Sequence, residues 1–300
     1  EFSYGLRLTV DKHSEFAREL VDSLRDVIGS DLAAALLASK QDDEAEIAAQ
    51  RARVAELKTK VQAALAGTWS GAGGNGAANR YGQLLAVADY LVKKSVWCIG
   101  GDGWAYDIGY GGLDHVLASG KNVNALVLDT GVYSNTGGQQ SKATPRAAVA
   151  KFAAAGKDMP KKDLGAIAMT YGNIYVAQVA YAANMTQVVR AFKEAEEYNG
   201  PSLIVAYAHC INHGIDMEKG TDQQKDAVES GFWPLFRYDP RLALEGKNPL
   251  QLDSKAPTKS VEDFMYKQIR FRALSEEDPA RADRLLESIL NDVVSRWKFY

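Results

Sequence analysis

Two polar clusters in this chain are spaced to hold a metal ion against phosphate. Asp102 lies between glycines in Gly100-Gly101-Asp102-Gly103. Thr130 opens a second cluster, Thr130-Gly131-Val132-Tyr133-Ser134-Asn135, which runs on into Thr136-Gly137-Gly138. Magnesium takes oxygen ligands at about 2.0–2.1 Å, usually one or two carboxylates with phosphate oxygens and water. Asp102 offers the carboxylate, Thr130 a hydroxyl and Val132 its backbone carbonyl. Gly101 and Gly103 would let the backbone approach a diphosphate and leave amides free to donate. A helix beginning after Gly103 would add its positive end. The alternative is a glycine-rich turn in which Asp102 merely caps that helix. A lone Gly-Asp-Gly fits such turns, and the second cluster behind the next strand is what favours a site.

The elements that must carry these clusters are legible. Residues 96–100 and 123–128 are short apolar runs ending in turn residues, which fits buried parallel strands. Between them, Ile108, Leu113, Val116 and Leu117 give a helical apolar face, and Gly120 a stop. Strand, helix, strand is a right-handed crossover, and open α/β sheets bind ligands at the carboxyl ends of such strands. Residues 174–177 and 203–207 read as two more strands, the second delivering His209 and Cys210 to the same edge. The fold class is therefore α/β, a doubly wound, mostly parallel sheet with an N-terminal helical arm and a C-terminal helical extension.

These blocks resemble the pyruvate:ferredoxin (flavodoxin) oxidoreductases, in their C-terminal thiamine-diphosphate-binding region. The resemblance is carried by residues 100–109 (GGDGWAYDIG), 128–139 (LDTGVYSNTGGQ), 141–145 (SKATP), 208–214 (AHCINHG), 231–238 (GFWPLFRY) and 245–249 (EGKNP). It covers most of residues 85–260, and pyruvate:NADP oxidoreductase has similar blocks. The resemblance implies that Asp102, Thr130 and the Val132 carbonyl hold Mg2+. It implies that Gly101, Gly103, Trp104, Gly131, Tyr133, Ser134 and Asn135 surround thiamine diphosphate, with Asn135 catalytic, beside the reacting centre. Cys210 would ligate a [4Fe–4S] cluster. Where thiamine enzymes usually place asparagine this chain has Thr130, as the resembled family does. Where that family usually has proline before the cysteine, this chain has His209, which would alter the cluster's surroundings.

The implied reaction is CoA-dependent oxidative decarboxylation of pyruvate to acetyl-CoA and CO2, with electrons leaving through [4Fe–4S] clusters to ferredoxin or flavodoxin. The substrate could be another 2-oxo acid. A chain starting Glu1-Phe2-Ser3 reads as part of a longer polypeptide, whose other domains would complete the site, in a homodimer. A [4Fe–4S] cluster normally takes four thiolates, and Cys98 and Cys210 are the two cysteines present. Alone, the chain would be a binding module without turnover, and Cys210 read without the resemblance is a buried thiol. A dinucleotide site would need Gly-x-Gly-x-x-Gly, and Tyr106 stands where its last glycine belongs.

Composition restricts the alternatives. A net charge of −3 gives no reason to expect nucleic acid or an anionic membrane surface. No apolar run approaches the length of a membrane span. Two cysteines argue against a disulfide framework. The expected compartment is cytoplasmic, or an organelle matrix in a eukaryote.

Three segments follow from the pattern: 1–84, a helical arm with a glycine-rich connector; 85–217, the α/β domain; 218–300, an extension packed on it. In the arm, a helix over 12–28 would be capped by Ser14 with Phe16, Leu20, Val21, Leu24 and Ile28 inward. A charged helix over 42–66 would bury a seam of Ile47, Val54, Leu57 and Val61. The stretch 67–79 reads as a flexible connector, or less simply as a phosphate cradle. Residues 145–155 read as helix, and Lys157, Lys161 and Lys162 as a solvated loop or a greeting for the phosphates of coenzyme A. A strand over 235–238 would lie at the sheet edge, and helices would span 260–274, capped by Ser260, and 280–299.

Overall fold

The computed structural model describes residues 1–68 and 75–300. They form two compact units, 2–96 and 97–300, Glu1 counting with the second. Of the connector expected over 67–79, residues 69–74 lie outside the described residues, and 67–68 and 75–79 are helical rather than loop.

The first unit is helical: α1 (Phe2–Ser23), α2 (Arg25–Ile28), α3 (Ser30–Ala38), α4 (Glu44–Thr68) and α5 (Asn75–Val87), closed by a 3-10 turn, Ala88–Leu91. Ala17, Leu20, Val21, Leu24 and Ile28 are buried at helical spacing, and Val54, Leu57 and Val61 of α4 meet them in one core. Truncating a fully buried leucine such as Leu57 to alanine costs about 2–5 kcal/mol. Ser14 is not a cap, because α1 begins at Phe2, and Ala17 rather than the 38% exposed Phe16 faces inward. Gln50, fully buried, donates to the carbonyls of Leu36 and Leu91, which satisfies helix-end groups that water cannot reach.

The second unit is built on a six-stranded sheet. Its strands are β1 (Trp97–Gly101), β2 (Asn124–Asp129), β3 (Tyr175–Val179), β4 (Ser202–Tyr207), β5 (Phe236–Tyr238) and β6 (Leu250–Leu252), in the order β1-β2-β4-β3-β5-β6. The first four are parallel; β5 and β6 are antiparallel to their neighbours. Strand β5, expected at the edge, pairs on both sides, and the short β6 takes the edge instead.

Side chains alternate between the two faces. One face buries Ala125, Val127, Val176, Leu203 and Val205 in the main core, with α6 (Tyr110–Ala118), α7 (Leu164–Met169) and three C-terminal helices, α11 (Val261–Tyr266), α12 (Ile269–Glu277) and α13 (Pro279–Phe299). The other packs Tyr175, Ala177, Val179 and Ile204 against α8 (Met185–Glu197). Burial of both faces is why the central strands read as unbroken apolar runs. The remaining short helices are α9 (Gly220–Glu229) and α10 (Pro240–Leu244).

Asp163 and Ser260 cap α7 and α11 by accepting from Ala166 N and Asp263 N. Two further expectations fail. Residues 145–155 are not helical: Ala147 and Phe152 hold positive φ of 67° and 68°, and Ala147, Ala148 and Val149 spend their backbone groups on distant segments, Ala147 N and Ala148 O on the Lys157 backbone and Val149 N on the Arg270 carbonyl. The helix expected over 260–274 breaks at Gln268, which is extended (φ −109°, ψ 127°) and separates α11 from α12.

Candidate functional site

The three loops that could carry chemistry leave one edge at one level. Gly101 is in register with Leu128, and Asp129 with Tyr207. Asp102, Thr130 and the segment 208–210 therefore emerge side by side. Asp102 is 2% exposed and makes no capping hydrogen bond to the helix after it. Its carboxylate turns instead to the neighbouring loops. Thr130 Oγ1 lies 3.0 Å from Asp102 Oδ1, and Ser141 Oγ donates to Oδ2 at 2.7 Å. The turn reading of Gly-Asp-Gly is thus not the arrangement found.

Thr130 Oγ1 is also 2.9 Å from the Val132 carbonyl and 2.8 Å from Ser134 Oγ. One hydroxyl proton cannot serve both Asp102 and Val132 O. Oxygens crowded in this way match the donor set of a hard cation. Among the described residues no group of three or more His, Cys, Asp or Glu side chains could hold a metal. A magnesium ion would rest on one carboxylate, one hydroxyl and one carbonyl, with phosphate and water completing its shell.

Burial, and then the nearby Asp129, push the Asp102 carboxyl up to about 6. Asp129 has its own partners. Lys161 Nζ and Tyr106 OH each reach Oδ2 at 2.6 Å, and Gly131 N donates to Oδ1 at 3.0 Å. Burial raises the Tyr106 phenol well above its ordinary range, so it stays a donor. Lys161 thus balances Asp129, while Asp102 has only hydroxyls. A buried carboxylate without a cation is the electrostatic signature expected of a cation site.

The lysines are engaged within the chain. Lys157, 7% exposed, donates to the carbonyls of Ser141, Lys142 and Thr144 at 3.3, 3.2 and 2.6 Å. Burial lowers its pKa to about 8. It fixes the loop that holds Ser141. Lys162 Nζ lies 3.0 Å from the centre of the Tyr110 ring.

The glycines differ in purpose. A Cβ on Gly101 would meet nothing within 4 Å, which leaves that backbone approachable. A Cβ on Gly103 would lie 2.4 Å from the Tyr133 ring. Gly103 thus makes room for Tyr133. Trp104 is wedged between Gly100 and Gly109, whose Cβ positions fall 2.5 and 2.2 Å from its indole. The helix after Asp102 begins as a π-helical turn, Gly103–Ile108. The Thr130 loop is drawn tight by Tyr133 N–Gln139 O and Gly138 N–Tyr133 O bonds of 2.9 and 2.8 Å, with Asn135 exposed at its tip.

Cys210 sits beside this loop. Its Sγ is 3.5 Å from Ser134 Oγ, Asn212 N and Asn212 Nδ2. Ser134 therefore links the Thr130 oxygens to the sulfur. Donors around a thiolate are what tune an iron–sulfur ligand, but this chain supplies one such sulfur at the site. Cys98 lies on β1. His209 Nδ1 is 3.2 Å from Gln224 Nε2, and its ring lies against Gly220. His213 is buried and close to Arg270, which together hold its pKa well down. As a neutral ring it contacts the Thr130 carbonyl through Nε2 at 2.5 Å. Ser141 and Asn212 have no signal in the local pattern as site residues, and only their place in the resembled blocks could have singled them out; Lys161, read as loop or as a partner for coenzyme A, pairs with Asp129 instead.

Residues 46–206 match the family model of the thiamine pyrophosphate enzymes, C-terminal TPP binding domain. The whole chain is 54% identical to a pyruvate-flavodoxin oxidoreductase of Trichormus variabilis, covering 24% of that protein. It is 51% identical, over all of its length and 25% of the relative, to a pyruvate:ferredoxin oxidoreductase of Moorella thermoacetica. The mitochondrial pyruvate dehydrogenase [NADP(+)] of Euglena gracilis is 52% identical over 73% of this chain and 12% of its own. The chain thus spans about a quarter of the length of the first two relatives. No helix among the described residues is long and apolar enough to cross a membrane.

Proposed function

As this chain belongs to the family of the thiamine pyrophosphate enzymes, in their C-terminal TPP-binding domain, we propose that it binds the diphosphate of thiamine diphosphate through magnesium held by Asp102, Thr130 and the Val132 carbonyl. The carrying observation is the crowding of Thr130 Oγ1 by Asp102 Oδ1 and Val132 O at 3.0 and 2.9 Å. A divalent ion relieves that crowding and supplies the charge that Asp102 lacks. The open backbone at Gly101 admits phosphate oxygens.

The intact protein then catalyses CoA-dependent oxidative decarboxylation of pyruvate, giving acetyl-CoA and CO2 and passing electrons to ferredoxin or flavodoxin. The names and the identities of the relatives support this reading. Thiamine diphosphate, when bound, supplies the electron sink for decarboxylation. This chain's residues bind and orient it. Asp102, Thr130 and Val132 fix the diphosphate end, and Tyr133, packed into the space at Gly103, holds the Thr130 loop against Asp102. Asn135, exposed at the loop tip, offers its amide to the reacting groups. Cys210 contributes one thiolate to a [4Fe–4S] cluster whose other ligands lie elsewhere. By itself the chain binds without turnover, a reading favoured by that single thiolate at the site.

Calorimetric titration with thiamine diphosphate, with and without magnesium, tests the assignment. Binding should depend on magnesium and weaken at least a hundredfold in Asp102→Ala. Equal affinity in the two proteins would remove Asp102 from the site.

A further inference from the structure

Several buried polar atoms without a hydrogen-bond partner surround one guanidinium. Arg270 Nη1, Gln268 Nε2, His213 Nδ1 and Tyr207 OH all lack partners among the described residues. Their residues are 7%, 0%, 1% and 6% exposed. They are neighbours: Arg270 Nε donates to Gln268 Oε1 at 2.8 Å, and the Tyr207 and His213 rings meet edge-on at 6.4 Å. Native interiors pair nearly all such groups, so a concentration of orphans at a charged side chain points to a missing counterpart.

Arg270 faces a cavity of about 280 Å³ that Gly131, Thr144, Lys151 and Asn212 also line. Two cations and no carboxylate form its wall; Asp102 and Thr130 are not part of it, and it meets the proposed magnesium site only at Gly131 and Val132. The other polar groups there are already engaged. Thr144 Oγ1 donates to the Gly131 carbonyl at 2.7 Å, and Asn212 Nδ2 is turned to Cys210 Sγ. Gly131 (φ 67°) has no side chain to fill the space: its Cβ would stand 3.2 Å from Arg270 Nη1. Gln268 and the Phe271 ring, 5.0 Å from the guanidinium carbon, hold the arginine in place. The cation is thus preorganised and desolvated, and no carboxylate among the described residues pairs with it directly, although Asp129 and Asp102 act on it from further off.

We propose that Arg270 and Lys151 form a binding site for a phosphate-type dianion, distinct from the oxygens of Asp102 and Thr130 and independent of the reaction proposed above. The planar fork of arginine matches a phosphoryl group, and Lys151 adds the second charge. The volume lies at the small end of ligand pockets, which run from about 300 Å³. The ligand is therefore a phosphoryl group with few atoms attached.

Inorganic phosphate is the probe. It is titrated calorimetrically into the intact protein at constant ionic strength, with acetate and chloride as comparisons. One saturable site per chain is expected, weakened at least tenfold in Arg270→Gln and several-fold in Lys151→Ala. The site should persist when thiamine diphosphate and magnesium are saturating. Thermal midpoints without phosphate show whether Arg270→Gln is folded; if it is not, Lys151→Ala decides by the same criterion. Absence of saturable binding, unchanged affinity in the folded variants, or displacement by thiamine diphosphate with magnesium would each overturn the site. Acetate binding as tightly as phosphate would overturn the dianion class.

Discussion

Ser141 Oγ donates to Asp102 Oδ2 at 2.7 Å across 39 residues of sequence. The serine is placed by Lys157, whose ammonium gathers the carbonyls of Ser141, Lys142 and Thr144. A lysine buried in one loop thereby aims a hydroxyl at the carboxylate of another. The orientation of Asp102 depends on a segment with no regular secondary structure.

The Asp102 carboxyl, at about 6 rather than the ordinary 3.8, sets a pH dependence. Its folded pKa is raised, so between those values the folded chain keeps a proton that the unfolded chain has lost. Stability without metal should therefore fall as pH rises through that window, by about 3 kcal/mol. Magnesium needs the ionised form, so its affinity should drop roughly tenfold per unit below about pH 6. Unfolding and magnesium-dependent titrations on either side of about pH 6 check both trends. Asp102→Asn should flatten the stability trend, and a flat wild-type profile would contradict the raised pKa.

Gly103→Ala would set a methyl group 2.4 Å from the Tyr133 ring. The ring must move, and the Thr130 loop with it. We expect a loss of about 1–3 kcal/mol and at least tenfold weaker magnesium-dependent binding. Adding Tyr133→Ala should recover stability but not affinity, a non-additivity that urea titrations and calorimetry separate. Additive effects on stability would mean that the two residues do not share this space.

Lys161→Met leaves Asp129 buried with only the Tyr106 hydroxyl and the Gly131 amide. Losing the cation of a buried pair costs about 3–5 kcal/mol. Combining it with Asp129→Asn should return much of that loss. Equal stability of wild type and Lys161→Met in urea would show that the pair at 2.6 Å carries no net weight.

Cys210→Ala in the intact protein should change the EPR spectrum of the [4Fe–4S] cluster proposed at this cysteine. Asn212→Ala should shift its midpoint potential through the lost donor at 3.5 Å. An unaltered spectrum in Cys210→Ala would make the cysteine an ordinary buried thiol.

The central strands β3 and β4 were legible because both their faces are covered, so each is a short apolar run between turn residues. The pairing of Asp102 with Thr130 was legible because consecutive parallel strands deliver their loops to one edge. Residues 145–155 were not. Their alanines favour helix, but the backbone of Ala147, Ala148 and Val149 is paired with that of Lys157 and Arg270, and that tertiary demand outweighs propensity. Arg270 and Ser141 gave no local signal because each acts through neighbours far away in sequence. The interior position of β5 depends on a three-residue partner, Leu250–Leu252, too short to show a period.

The π-helical turn at Gly103–Ile108 closes with Gly109 N donating to Trp104 O, five residues back, at 2.9 Å. It holds one residue more than an α-helical turn would, which resets the helical phase between Asp102 and α6 by about 100°. The extra residue lets Leu113, Val116 and Leu117 face the core while the carboxylate faces Thr130. Removing one residue here would leave a more regular helix and turn Asp102 away from its partners. The chain length between aspartate and helix is therefore as much a part of the site as any side chain in it.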